Sequence, residues 1–429
     1  MQSIDLGREH DTTCDPWGTM ITTPRSLRLQ VGIFGTRNAG KSSLLNAIAR
    51  QQVSIVSPHP GTTTDPVEKP MEMLPLGPVV FIDTAGVDDE GELGRVRVER
   101  ARAIMGRCDV AIVVAAEGIW SGYDEELCTE FAARSIPTIV VFNKADLTPP
   151  SPELVERVAA RVACVVVAVA SQGKGVSELH EALVAAAPEP VVAAPPLLAD
   201  LVAPGDLAVL VVPIDMEAPK GRLILPQVQT IRELLDLDAY CLVVKERELR
   251  AAFSRINSPP ALVVTDSQAF LRVVADTPAD VPLTSFSILF ARAKGDLLTF
   301  VEGAAAIDRL RAGDRILIAE ACSHHPVGDD IGRVKIPRWL TQYVGGKLEI
   351  DHVQGHSFPL DLAPYRLVVH CGACTLNRRA VLTRVARCRE QRVPVTNYGM
   401  CIAYSLGIFA RALRPFPAAR ALLDSWPPR

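Results

Sequence analysis

Between residues 28 and 187, short β-branched apolar runs at 29–34, 79–82, 110–115, 137–142 and 162–169 alternate with longer runs of helical period, the first at 43–50. That alternation predicts a doubly wound α/β domain, with parallel strands joined by covering helices. The pattern then thins into Pro188, Pro190, Pro195, Pro196 and Pro204, the composition of a semi-rigid linker over 188–204. Beyond it, apolar runs at 207–214, 240–244 and 261–265 enclose helical stretches at 227–235 and 246–253, which reads as a small α/β unit over 205–278. A third α/β unit over 279–429 carries strands at 315–319 and 366–369 and a helix at 377–390. Residues 1–27 are polar and hold Pro16 and Pro24, a loose arm ahead of the first strand.

Composition narrows the class. A chain of 429 residues with 48% hydrophobic content has ample apolar surface for several cores. Its formal net charge is −4, with lysine and arginine spread along the chain, so no basic stripe argues for nucleic acid. The first residues lack the apolar core of a signal peptide, and no apolar run reaches the ~18 residues of a membrane span. The expectation is a cytoplasmic protein with no membrane partner. Ten cysteines are too few for a disulfide scaffold in a chain this long, so clustered cysteines suggest metal.

The first chemistry follows the first strand. In Gly35-Thr36-Arg37-Asn38-Ala39-Gly40-Lys41-Ser42, glycines let successive N–H groups face phosphate oxygens at a helix N-terminus. Lys41 then neutralises the outer phosphates and Ser42 offers a hydroxyl to Mg²⁺. The loop at 57–65 follows the first helix at the distance of a GTPase's first switch, where one threonine should reach Mg²⁺ and the γ-phosphate. Asp83 closes a strand with a carboxylate that can hold Mg²⁺ through water, and the Gly86 N–H can sense the γ-phosphate. Asn143-Lys144-Ala145-Asp146 follows the next strand but one. The Asp146 carboxylate can accept from both N1–H and the exocyclic amine of guanine, which predicts GTP over ATP. Ala170, in Val169-Ala170-Ser171, would aim a backbone N–H at guanine O6.

With Pro60-Gly61-Thr62-Thr63-Thr64-Asp65, this domain resembles the Era/MnmE branch of P-loop GTPases over roughly 28–187. The resemblance implies a GTP site of Gly35, Asn38, Ala39, Gly40, Lys41, Ser42, Ser43, Thr63, Asp83, Gly86, Asn143, Lys144, Asp146 and Ala170. Within it Lys41, Thr63, Asp83 and Gly86 serve hydrolysis, and Ser42 and Thr63 hold Mg²⁺. Asn38 matches the position that binds K⁺ in potassium-activated members, where a monovalent cation could act in place of an arginine finger. A loop-stabilising role fits Asn38 equally well from sequence. Val87 stands where Ras-type enzymes have a water-orienting glutamine, so hydrolysis should be slow or use another group.

The second chemistry lies in the third unit. Cys322-Ser323-His324 follows the strand at 315–319, and His370-Cys371-Gly372-Ala373-Cys374 follows the strand at 366–369. Carboxyl ends of strands in an open α/β sheet form its ligand crevice, so these distant groups can converge. Cys322, Cys371, Cys374 and one histidine would satisfy structural zinc. The three thiolates would equally suit a 4Fe–4S cluster with one iron left open. Buried cysteines with no metal are the third alternative, and Cys388 and Cys401 look like core.

Together these motifs resemble the HydF family of iron–iron hydrogenase maturation GTPases, over nearly the whole chain. The resemblance implies a 4Fe–4S cluster on Cys322, Cys371 and Cys374, with His324 and His370 as candidates for a fourth ligand or for orienting one. It also implies a homodimer formed by the second unit and a transient two-iron precursor received from two radical-SAM maturases. Apo FeFe-hydrogenase would be the recipient. The rivals are a GTP-dependent metal chaperone for another metalloenzyme, told apart by its client, and a ribosome- or tRNA-associated GTPase with structural zinc, told apart by salt-dependent RNA binding.

Overall fold

The computed structural model describes residues 25–49, 67–84, 101–188, 196–214, 223–321 and 330–426. Its first unit is a six-stranded sheet in the order β2-β3-β1-β4-β5-β6. The strands are β1 Leu29–Phe34, β2 Val67–Met73, β3 Gly77–Asp83, β4 Val110–Ala116, β5 Thr138–Asn143 and β6 Cys164–Val167. All pairs are parallel except β2 with β3. Every residue of β1 is buried, because a central strand packed on both faces needs a continuous apolar run. Leu29, Val31 and Ile33 join the core on one face, with Leu44 and Leu45 of α1 (Lys41–Ala49). Phe34 faces the other, against Phe131 of α2 (Gly122–Ala133). This is the doubly wound domain that the alternation predicts.

β2 is an addition that the sequence reading does not contain. Its burial pattern is mostly half-exposed, and its charged residues Glu68, Lys69 and Glu72 hide the strand from an apolar-run criterion. As the edge strand of the sheet it keeps one face in solvent.

The second and third units are four-stranded parallel sheets, ordered β10-β9-β7-β8 and β12-β11-β13-β14. Their strands are β7 Leu207–Val211, β8 Tyr240–Val244, β9 Leu262–Thr265, β10 Leu283–Ser285, β11 Arg315–Ala319, β12 Glu349–Val353, β13 Leu367–His370 and β14 Val395–Asn397. A single apolar core runs through both. Two expected boundaries shift. β10 pairs in register with β9, so the second unit continues beyond residue 278, through the following helix α3 (Phe286–Lys294). Its three residues are too few to show a strand period. Upstream, Leu198 is fully buried, and the Leu197 and Leu198 N–H groups donate to Glu233, so the end of the expected linker is packed into the second unit.

Candidate functional site

The nucleotide site is built where β1 ends. Gly35 takes φ 138°, and an added Cβ there would lie 2.2 Å from the Val114 carbonyl oxygen. Gly40 takes φ 88°, and a Cβ would lie 2.2 Å from Asn143 Nδ2. Neither position admits a side chain, so the motif's glycines are dictated by backbone hand and by close approach. Asn38 at φ 60° completes the turn and is exposed. Lys41 begins α1, and its buried amine donates to the Gly35 and Thr36 carbonyls at 3.0 and 2.7 Å, at the mouth of the loop.

Ser42 Oγ donates to Asp83 Oδ2 at 2.7 Å, bringing the two expected Mg²⁺ groups together. Asp83 is 1% exposed and its Oδ1 has no hydrogen-bond partner. Burial raises its carboxyl above the ordinary value, opposed by the Ser42 hydrogen bond and Lys41. A buried carboxylate oxygen without a donor, beside a serine hydroxyl, fits a hydrated divalent cation.

Asn143 joins three segments. Its Nδ2 donates to Ala39 O at 3.0 Å, its Oδ1 accepts from Ala170 N at 3.0 Å, and its carbonyl accepts from Glu117 N. The phosphate loop, the base loop and the expected guanine-O6 loop thus share one buried side chain. Lys144, at φ 58°, pairs with Glu117 at 3.1 Å, and Asp146 is exposed beyond it. Thr63 and Gly86 lie outside the described residues.

In the third unit, β13 pairs with β11 through Ala319 opposite His370, so the strand that leads to Cys371 and Cys374 ends beside the end of β11. Cys371 Sγ accepts from Ala321 N at 3.0 Å and Ala373 N at 3.4 Å, while Thr375 Oγ1 donates to Ala321 O at 2.9 Å. Cys322 and His324 themselves lie outside the described residues. Among the described residues no group of three or more histidine, cysteine or carboxylate side chains converges. Burial, with Cys374 adding to it, pushes the Cys371 thiol up to about 11, against the two N–H groups, and burial raises Cys374 against the pull of Lys294. A metal bound here must therefore displace protons. Two thiols at strand ends, one already receiving backbone N–H groups, suit iron–sulfur chemistry, where such bonds to sulfur set the potential.

His370 is 1% exposed with both ring nitrogens engaged, Nδ1 with Cys371 O at 2.9 Å and Nε2 with Arg384 at 3.0 Å. The guanidinium can only donate, so Nε2 accepts and Nδ1 carries the proton. Burial, with Arg384 beside it, holds the imidazole down at about 3. In this arrangement His370 braces the Cys371 turn and offers no free nitrogen as a ligand. Cys388 and Cys401 are buried in the apolar core. The sequence reading missed Lys294, whose amine donates to the carbonyls of Ala373, Cys374 and Leu376. A lone lysine ending a helix far upstream carries no sequence signal for this.

Three family models match the chain: a 50S ribosome-binding GTPase over 30–144, the hydrogen maturase F dimerization domain over 197–295 and the hydrogen maturase F tetramerization domain over 298–415. Among curated relatives, a tRNA modification GTPase MnmE from Synechococcus sp. is 40% identical over 162 residues, covering 36% of this chain and 33% of its own. One from Chloroflexus aurantiacus is 40% identical over 140 residues, covering 32% and 30%. The chain thus spans about a third of the length of the curated relatives it matches. Among solved structures, Aquifex aeolicus Era bound to GDP.AlF4- shares 23% identity with a TM-score of 0.35, covering 58% of this chain and 99% of that one.

Proposed function

The chain belongs to the hydrogen maturase F family, with a GTPase domain ahead of that family's dimerization and tetramerization domains, and from this premise we propose that it is a GTP-hydrolysing metal-cluster scaffold. In this reading Cys322, Cys371 and Cys374 hold a 4Fe–4S cluster. The two-iron precursor of the hydrogenase active site arrives as cargo from two radical-SAM maturases and leaves for apo FeFe-hydrogenase. The observation that carries the reading is the hydrogen bond from Ala321 N to Cys371 Sγ, which joins the end of the β11 segment to the β13 loop. Three thiolates leave one iron open, and a carrier needs such a site to release a fragile centre.

The GTPase residues divide the work in the same reading. Gly35, Ala39, Gly40 and Ser43 cradle phosphate through backbone N–H groups, and Lys41 neutralises its outer oxygens. Asp146 selects guanine. A Mg²⁺ ion held by Ser42, Thr63 and the Asp83 carboxylate would supply charge neutralisation at the outer phosphates, and K⁺ at Asn38 would extend it. Gly86 senses the γ-phosphate. The dimerization and tetramerization domains make the working form an oligomer.

Chain loaded by the two maturases and repurified should restore hydrogen evolution to apo FeFe-hydrogenase, while Cys371→Ser chain treated alike should restore none above background. Equal activation by both would sink the scaffold reading.

A further inference from the structure

Lys294 is the last residue of α3 and stands at the end of the dimerization domain, yet its side chain leaves that unit. It is 6% exposed. Its amine donates to Ala373 O at 2.9 Å, Cys374 O at 3.1 Å and Leu376 O at 2.9 Å, which uses all three donors of an ammonium. The Phe290 ring lies 5.5 Å from it on the helix side. Three carbonyls converging on one point repel each other unless a cation sits there. The loop also holds Ala373 at φ 53°, a conformation costly for a residue with a Cβ. A strap runs the other way, from Arg378 beyond the loop to the Ala293 and Gly295 carbonyls at 3.0 and 3.2 Å.

We propose that Lys294 is a positioning residue for the metal site. Through the backbone of residues 373–376 it fixes where the Cys371 and Cys374 sulfurs point, and it sets one positive charge beside them. The dimerization domain therefore supplies part of the site borne by its neighbour. The charge favours the more negative, reduced form of a cluster, so its loss moves the reduction potential downward. The inference rests on the cluster reading above.

The test compares wild type with Lys294→Met, which keeps the length without charge or donors, and Lys294→Arg, which keeps the charge. In iron-free protein, amides 371–377 of the Met variant should exchange roughly tenfold faster, the scale of losing charge-assisted hydrogen bonds. After anaerobic reconstitution the Met variant should lose iron to a chelator faster and show a more negative potential, and the Arg variant should return both toward wild type. A soluble Met variant with wild-type exchange, iron loss and potential overturns the proposal. If the Met variant does not fold, Lys294→Gln, with donors but no charge, takes its place under the same criterion. Wild type that binds no iron while the exchange difference persists would fail the cluster reading and leave the positioning role standing.

Discussion

Asn143 divides one side-chain amide between two loops, donating to Ala39 and accepting from Ala170. Both loops belong to the expected nucleotide site, so this residue holds its architecture, while Asp146, exposed beyond it, is the proposed reader of the base. Asp146→Asn replaces an acceptor pair by one acceptor and one donor, which clashes with one of guanine's two N–H groups. GTP turnover over ATP by the wild type should be strong, and the variant should lose on the order of 10²-fold or more of that preference. Steady-state phosphate release with each nucleotide checks it, and equal use of ATP and GTP by the wild type would refute the specificity. The same assay should run faster in K⁺ than in Na⁺, a difference that Asn38→Ala should erase; equal rates in the two salts would remove K⁺ from the account. Residues of this kind were legible because their chemistry is local and spaced along the chain. Lys294 was not, since its partners lie some eighty positions away and no pattern links them.

At the scale of elements, the helix α4 (Arg378–Glu390) joins the third unit to the first. Its N-cap Asn377 donates to Arg107 O at 2.8 Å and to both Asp109 carboxylate oxygens, and Thr383 Oγ1 donates to Gly106 O at 2.8 Å. Asp109 also accepts from Gln30 N of β1, the strand that delivers the phosphate loop. Burial raises the Asp109 carboxyl from 3.8 to about 6, against the Gln30 and Asn377 hydrogen bonds and Arg379, the guanidinium that faces it; the Cys108 thiol is the other titratable neighbour. A raised folded value means the native state binds the proton more tightly. The group's contribution is therefore full below pH 4 and is lost as pH rises through 6. Asp109→Asn should gain stability relative to wild type across that window, by at most about 3 kcal/mol. Denaturant midpoints at pH 4.5 and pH 7, about the two ends of the window, check it, and a pH-independent difference would show that the carboxyl is not raised. Elements with strong apolar runs, β1, β4 and β5, could be read directly because central parallel strands are buried on both faces. β2 and β10 could not, the first being a charged edge strand and the second three residues long.

Across the whole molecule, the GTPase unit keeps its own two cores while the second and third units share one. The end of the linker and the unit boundary are hard to read in sequence for that reason, since Leu198 and β10 are fixed by packing with distant segments. The placement of Cys371 and Cys374 just beyond the end of β13 could be anticipated from strand-end topology, but the bracing by His370 and Lys294 needed the fold. The proposed iron–sulfur centre, served by a GTPase, requires Cys322 to join Cys371 and Cys374. The most direct measurement is the iron and acid-labile sulfide content of anaerobically reconstituted protein and its cysteine variants. The reconstituted protein should be brown, with about four iron and about four sulfide per chain. Cys322→Ser, Cys371→Ser and Cys374→Ser should each lose the cluster, and Cys388→Ser and Cys401→Ser should keep it. Colourless protein holding about one zinc per chain, or a cluster that survives Cys371→Ser, would contradict it.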